Sequence, residues 1–222
     1  MPARRASTRP PSARALAAAS EQVAAVDGVM AALYRRHGPC TLSRPSARRG
    51  DRGAGPYFSA LAESVLYQQL AGSAAAAIHR RLLDVVGELT PEAVAGAGDE
   101  ALRGAGLSRA KAATIANLAR AVASGELDLG AVATSPDDEV VATLSRLPGI
   151  GPWTAQMFCI FTLGRLDVWP TTDYGVRKGY AIAYGHEDLP APRALADLGE
   201  PYRPYRSVAA WYLWRAVESP PG

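Results

Sequence analysis

Cysteine is scarce in this chain of 222 residues: Cys40 and Cys159 are the two, and no Cys-x-x-Cys spacing occurs. That argues against a disulfide scaffold, a zinc ribbon and a cysteine-held iron–sulfur cluster, and it fits a reducing compartment. Long apolar runs are missing as well. No stretch reaches the roughly 18 uninterrupted apolar residues of a membrane span, so no membrane partner is expected. The three histidines, His37, His79 and His186, have no ligand spacing, and no catalytic metal is expected. Alternation with period two is almost absent, which argues against sheet.

What is present points to a helical protein. Hydrophobic residues make up 48% of the chain, enough for one domain or two tightly packed lobes. The net charge of +3 is unevenly spread. Residues 1–52 carry ten Lys and Arg against three Asp and Glu, a local balance of +7 that leaves −4 for the rest. A basic N-terminal arm can lean on nucleic-acid phosphates, or it can be a solubilising tail; both readings stand. Residues 1–17 read as a disordered arm. The first twenty residues hold no acid and resemble a transit peptide in composition, but two adjacent prolines weaken an amphipathic helix there, and a flexible basic arm is preferred.

Beyond the arm, apolar positions recur at helical spacing over 18–36 and 57–70, where Phe58, Leu61, Val65 and Leu66 share a face. A third helix is predicted over 73–87, with Ser73 as N-cap and Gly87 as stop. Thr90 and Pro91 mark another start, and 108–125 opens on Ser108 and closes on Gly125. Residues 136–146 begin with Pro and three acids, which suits a helix N-terminus. Helices follow over 152–163, after Asp173 and in the tail. The stretch 39–56 is loop.

One segment asks for a particular explanation. "LPGIGPWTAQ", residues 147–156, joins two of these helices through Gly149 and Gly151. Glycine allows positive φ or very close backbone approach, and Pro152 suits the first position of a new helix. The product is a helix–hairpin–helix over 137–163, whose free N–H groups suit a phosphate. Taken alone, it is also an ordinary turn between helices. Likewise Asp173, in "WPTTDYGVRKG", reads locally as an N-cap.

Together, however, "LPGIGPWTAQMFCIFTLGRLDVWPTTDYGVRKG", "YQQLAGSAAAAI", "GLSRAKAATIANLA" and "PYRSVAAWYLW" run collinearly over residues 57–215. They resemble the helix–hairpin–helix, Gly/Pro–Asp (HhH-GPD) DNA glycosylases, and among them the alkylbase branch, the 3-methyladenine DNA glycosylases II. The resemblance implies an all-α, two-lobed fold over residues 18–222 with the active site in the cleft between lobes. About fifty residues precede the signature, too few for the N-terminal β domain of the longest-known form.

The resemblance makes Asp173 the catalytic carboxylate. It implies hydrolytic excision of alkylated purines of the 3-methyladenine and 7-methylguanine type from damaged double-stranded DNA. Lyase relatives carry a lysine two residues after the second hairpin glycine; here that residue is Trp153, so a monofunctional enzyme is expected. Trp153, Tyr205 and Tyr174 are the candidate base pocket. Trp211 and Trp214 lean to core, Trp169 reads either way, and Met157 stands where some relatives are aromatic. Gly149, Ile150, Gly151 and Thr154 are candidate DNA contacts, as are Gln69 and Leu70, with Leu70 the preferred wedge. Gln68 and Gln69 also read as helix-end hydrogen bonders. Arg177 and Lys178 are phosphate partners or solvated charges.

No cofactor is expected to be required, and no iron–sulfur cluster. A structural Na+ or K+ on the main-chain carbonyls of Ser145, Leu147 and Ile150 is implied. A monomer in the cytoplasm, associated with a bacterial nucleoid, fits the composition and the family. Two alternatives remain: a glycosylase of this fold for a deaminated or mismatched base, and a noncatalytic helix–hairpin–helix DNA-binding protein.

Overall fold

The computed structural model of the chain describes residues 11–42, 54–68 and 72–219, and among these every regular element is a helix, with no strand. In chain order the helices are α1 (Ala13–Ala24), α2 (Gly28–His37), α3 (Ala54–Tyr67), α4 (Gly72–Val86), α5 (Pro91–Gly104) and α6 (Arg109–Ala123). They continue with α7 (Leu129–Val132), α8 (Asp137–Leu144), α9 (Pro152–Met157), α10 (Tyr174–Tyr184), α11 (Pro192–Leu198) and α12 (Arg206–Glu218). A π-helical turn, Phe158–Thr162, prolongs α9, and a 3₁₀ turn, Glu200–Tyr202, precedes α12.

The chain divides into two compact units. Of the described residues, 54–158 form the first, and 11–42 with 159–219 form the second. In the first, α6 packs against α3 and α5, and Phe58, Leu61, Val65 and Leu66 of α3 are fully buried, the face expected of them. In the second, α10 and α12 pack face to face, with α1 and α2 against α12. Its core includes Leu16, Met30, Val176, Trp211 and Tyr212.

Several helix ends match the sequence. Thr90 accepts the Ala93 N–H at 3.2 Å and caps α5, and Ser108 accepts the Lys111 N–H at 3.3 Å and caps α6. Gly87 and Gly125, with φ of +73° and +77°, follow α4 and α6.

Other ends correct it. The predicted helix over 18–36 is two helices, because Asp27 adopts extended backbone and accepts the Met30 N–H at 2.8 Å, starting a new helix. Residues 13–17, expected to belong to a disordered arm, are helical. Ser12 caps α1 through the Ala15 N–H at 3.1 Å, and Leu16 is buried in the second unit's core. The adjacent prolines lie ahead of that cap, where they interrupt nothing. Residues 1–10 lie outside the described residues. Ser73 falls inside α4 and is not its cap, since the helix starts at Gly72. Helix α3 starts three residues early and ends at Tyr67, while α7 and α11 were not predicted at all.

Helices α10 and α12 approach so closely that a Cβ on Gly179 would lie 2.0 Å from the Leu213 carbonyl oxygen, a backbone atom that cannot step aside. Gly179→Ala should therefore destabilise the second unit by about 2–3 kcal/mol, read as a lowered midpoint in chemical denaturation.

Candidate functional site

Two groups of residues stand out, one in each unit. In the first unit α8 ends at Leu144, and the chain turns through residues 147–150, where the Ile150 N–H donates to the Leu147 carbonyl at 3.0 Å. Pro148 followed by Gly149 at φ +89° is the pattern of a type II turn. Gly149 is doubly required: a Cβ there would lie 1.9 Å from the Thr114 Oγ1 on α6. Gly151 is different. It is the N-cap of α9 with extended backbone, φ −88° and ψ 172°, and a Cβ there would meet nothing within 4 Å. Of the two uses expected of these glycines, positive φ is found at Gly149, and Gly151 keeps a bare face that is exposed.

Gln68, Gly149, Gly151, Trp153 and Thr154 line a cavity of about 330 Å³. Trp153 is 38% exposed, large for a tryptophan. Thr154 is buried, and its hydroxyl oxygen accepts a hydrogen bond from the Gln68 Nε2 at 2.8 Å, so the side chain read as a DNA contact is engaged within the protein. Gln69 and Leu70, the predicted wedge, lie outside the described residues. Among the carbonyls suggested for a cation, that of Leu147 accepts the Ile150 N–H and keeps one lone pair, Ser145 is the C-cap of α8, and Ile150 is buried. The Ser145 hydroxyl is buried beside them without a hydrogen-bond partner. Oxygen donors of this kind suit a hard cation.

In the second unit Asp173 is 8% exposed. Its Oδ1 accepts two hydrogen bonds, from the Val176 N–H at 2.7 Å and from the Trp214 indole N–H at 2.9 Å. It is an N-cap and more than an N-cap. The bond from α12 aims the carboxylate in a way helix capping does not need. Gly175 makes room for it: a Cβ there would lie 2.8 Å from the Trp214 ring and 3.1 Å from the Asp173 Oδ1. Trp214 in turn stacks on Phe161, ring centroids 5.5 Å apart. Phe161, Gly175, Trp211, Trp214, Arg215 and Glu218 are among the residues lining a cavity of about 460 Å³.

Trp214 is the residue that sequence reading missed. Both Trp211 and Trp214 lean to core in the sequence; Trp211 is buried there and Trp214 packs against that core partly buried, and what was not foreseen is its bond to Asp173. The indole N–H reaches Asp173 across 41 positions, and no local pattern signals that. Trp169 is core, donating to the Leu195 carbonyl at 2.7 Å. Tyr174 opens α10 and is 63% exposed, with the Lys178 ammonium 5.9 Å from its ring centre. Tyr205 is the N-cap residue of α12 and packs, partly buried, against the second unit's core. Arg177 donates to the Pro190 carbonyl at 2.9 Å. Met157 is buried in the first unit.

Trp214→Phe keeps a ring to stack on Phe161 but removes the donor to Asp173. Any reaction that depends on Asp173 should slow about tenfold, with folding intact, because one charge-assisted hydrogen bond is lost; the rate under single-turnover conditions measures this.

Among the described residues no cluster of His, Cys, Asp or Glu is suited to a metal ion. No helix among the described residues is long and apolar enough to cross a membrane. Cys40 and Cys159 are both buried, and burial pushes the Cys40 thiol up to about 12, which makes it a poor nucleophile.

The family model described as HhH-GPD superfamily base excision DNA repair protein matches residues 62–204. An alkylbase DNA glycosidase-like protein, mag2, of Schizosaccharomyces pombe is 27% identical over 89% of this chain and 92% of its own. The crystal structure of a DNA-3-methyladenine glycosidase from Bacillus halodurans superposes with a TM-score of 0.78 at 32% identity, covering 90% of this chain and 89% of that one. The 3-methyladenine DNA glycosylase Mag1 of Schizosaccharomyces pombe, solved in complex with abasic DNA, gives a TM-score of 0.74 at 28% identity, with 90% and 97% covered.

Proposed function

Because the chain belongs to the HhH-GPD superfamily of base excision DNA repair proteins, we propose that it is a monofunctional DNA glycosylase. It flips and hydrolytically excises alkylated purines of the 3-methyladenine and 7-methylguanine type from duplex DNA and leaves an abasic site. The observation that carries this reading is the buried carboxylate of Asp173, aimed by the Trp214 indole and the Val176 amide.

The chemistry follows from the leaving group. An alkylated purine of this type is cationic, so breaking its glycosidic bond releases a neutral base and leaves positive charge on the sugar. A carboxylate held in a mostly dry place stabilises that charge and orients or deprotonates the water that adds to the sugar carbon. Electron-rich rings favour a cationic base by stacking and cation–π attraction, worth about 1–2 kcal/mol per ring when dry. Trp153 in the first unit and Tyr174 and Tyr205 in the second are the rings proposed to stack on a flipped base, and Trp214 joins them by its bond to Asp173. The hairpin around Gly149, Ile150 and Gly151 grips a DNA phosphate. A Na+ or K+ on the carbonyls of Ser145, Leu147 and Ile150 would add positive charge to that grip.

Neither lysine of the chain, Lys111 or Lys178, stands at the lyase position. The lyase position is Trp153. Lys111 donates to the Leu66 and Gln68 carbonyls at 2.8 and 2.5 Å, which ties its side chain to the end of α3. Incubation with methylated duplex should therefore release free methylpurines while the strands stay whole until alkali is added, and borohydride should trap no covalent adduct. Strand cleavage without alkali would overturn the monofunctional assignment. Release of a deaminated or mismatched base in place of methylpurines would move the chain to another lesion. Binding without any release would make it a DNA-binding protein only.

A further inference from the structure

One part of the first unit is organised more tightly than helix packing requires. The C-terminal turn of α3, the face of α6 and the start of α9 meet there, and each is tied to the others by a specific contact. Lys111 on α6 places its ammonium on two carbonyls at the end of α3, those of Leu66 and Gln68. Those carbonyls stand at the negative end of a helix, where a cation is favoured. One turn along the same face of α6, Thr114 stands against Gly149 of the hairpin. Gln68, held through its carbonyl by Lys111, uses its own amide to donate to Thr154 on α9. Gln68 is thus fixed at both ends, and it lines the same cavity as Gly149, Gly151, Trp153 and Thr154.

We infer that Lys111 is a positioning residue for duplex DNA binding: through Gln68 and Thr154 it sets the hairpin's seat without touching the DNA. The inference rests on the reading of the hairpin as a DNA grip. A helix end can be capped by water or a glycine at no cost to packing. Here a long side chain spans from one helix to another. Burial holds its ammonium below the usual lysine range, and its two carbonyl bonds fix where it sits. Loss of the ammonium removes both bonds to the end of α3 and frees Gln68, and the Thr154 contact goes with it.

The test measures affinity for a duplex carrying a tetrahydrofuran abasic analogue, by fluorescence anisotropy over a range of salt concentrations. Lys111→Met should weaken binding about tenfold, Lys111→Arg should stay within about threefold of the wild type, and Gln68→Ala and Thr154→Val should each weaken it several-fold. The double variant Lys111→Met, Gln68→Ala should bind no worse than about the weaker single variant, since both break one chain of contacts. The slope of log Kd against log salt should be unchanged in Lys111→Met, whereas loss of a direct phosphate contact lowers it by about one. Should Lys111→Met fail to fold, the Arg, Ala and Val variants carry the same test. Wild-type affinity in Lys111→Met, additive losses in the double variant, or a salt slope lower by about one would each overturn the inference alone. A wild-type chain that binds no duplex would overturn the DNA-grip reading and this inference together.

Discussion

Asp173→Asn should abolish most base release, slowing it about 10²–10³-fold, with the fold and the duplex affinity retained. The size is that of losing one preorganised charge at a developing cation. The retention follows from the contacts. Asparagine caps helices about as well as aspartate, and its amide oxygen can still accept from the Val176 N–H and the Trp214 indole. The substitution removes the negative charge and little else. Asp173→Ala is a poorer probe, since it also loses the cap of α10, worth about 1 kcal/mol, and leaves the indole N–H without its acceptor. Thermal unfolding and anisotropy on an abasic duplex, run beside the rate measurement, separate the two effects.

The second large effect is expected at the hairpin, where the two glycines should behave oppositely. Gly149→Ala puts a side chain at φ +89° and drives a Cβ to within 1.9 Å of the Thr114 Oγ1. Left-handed backbone costs an alanine about 1–2 kcal/mol, and the overlap adds an overpacking cost of about 1–3 kcal/mol. A lower unfolding midpoint and a more than tenfold loss of duplex affinity are expected. Thr114→Ala in the same chain should restore part of both, because it removes the nearest atom. Gly151→Ala meets no protein atom and no forbidden φ. Its unfolding midpoint should match the wild type, and its duplex affinity should fall about tenfold if DNA backbone approaches that bare face. Two substitutions two residues apart thus separate a glycine kept for folding from one kept for binding.

How much of this was legible in the sequence depends on the range of the contact. Local devices read well. Thr90, Ser108, Gly87 and Gly125 announce helix ends because a cap or a left-handed residue acts within one turn. The buried face of α3 reads well because its period is local. Asp27 was misread for the opposite reason: apolar spacing continues across it, and only its bond to Met30 shows the break. The short helix α11 has too few turns to show a period. Asp173 was placed by its motif, but its setting was not, since the Trp214 indole reaches it from another helix. The same holds for Lys111, which bonds the end of α3 at a separation of more than forty residues. Gly149 and Gly151 each permit positive φ or close backbone approach, and only the backbone shows which one uses positive φ.

The measurement closest to the centre of the account is single-turnover release of free base from methylated duplex DNA, with the wild type and Asp173→Asn side by side. The account predicts free methylpurines from the wild type, a rate at least about 10²-fold lower from the variant, and equal binding of an abasic duplex by both. Base release by Asp173→Asn at the wild-type rate would contradict it, because the chemistry would then not depend on the carboxylate that the Val176 amide and the Trp214 indole hold.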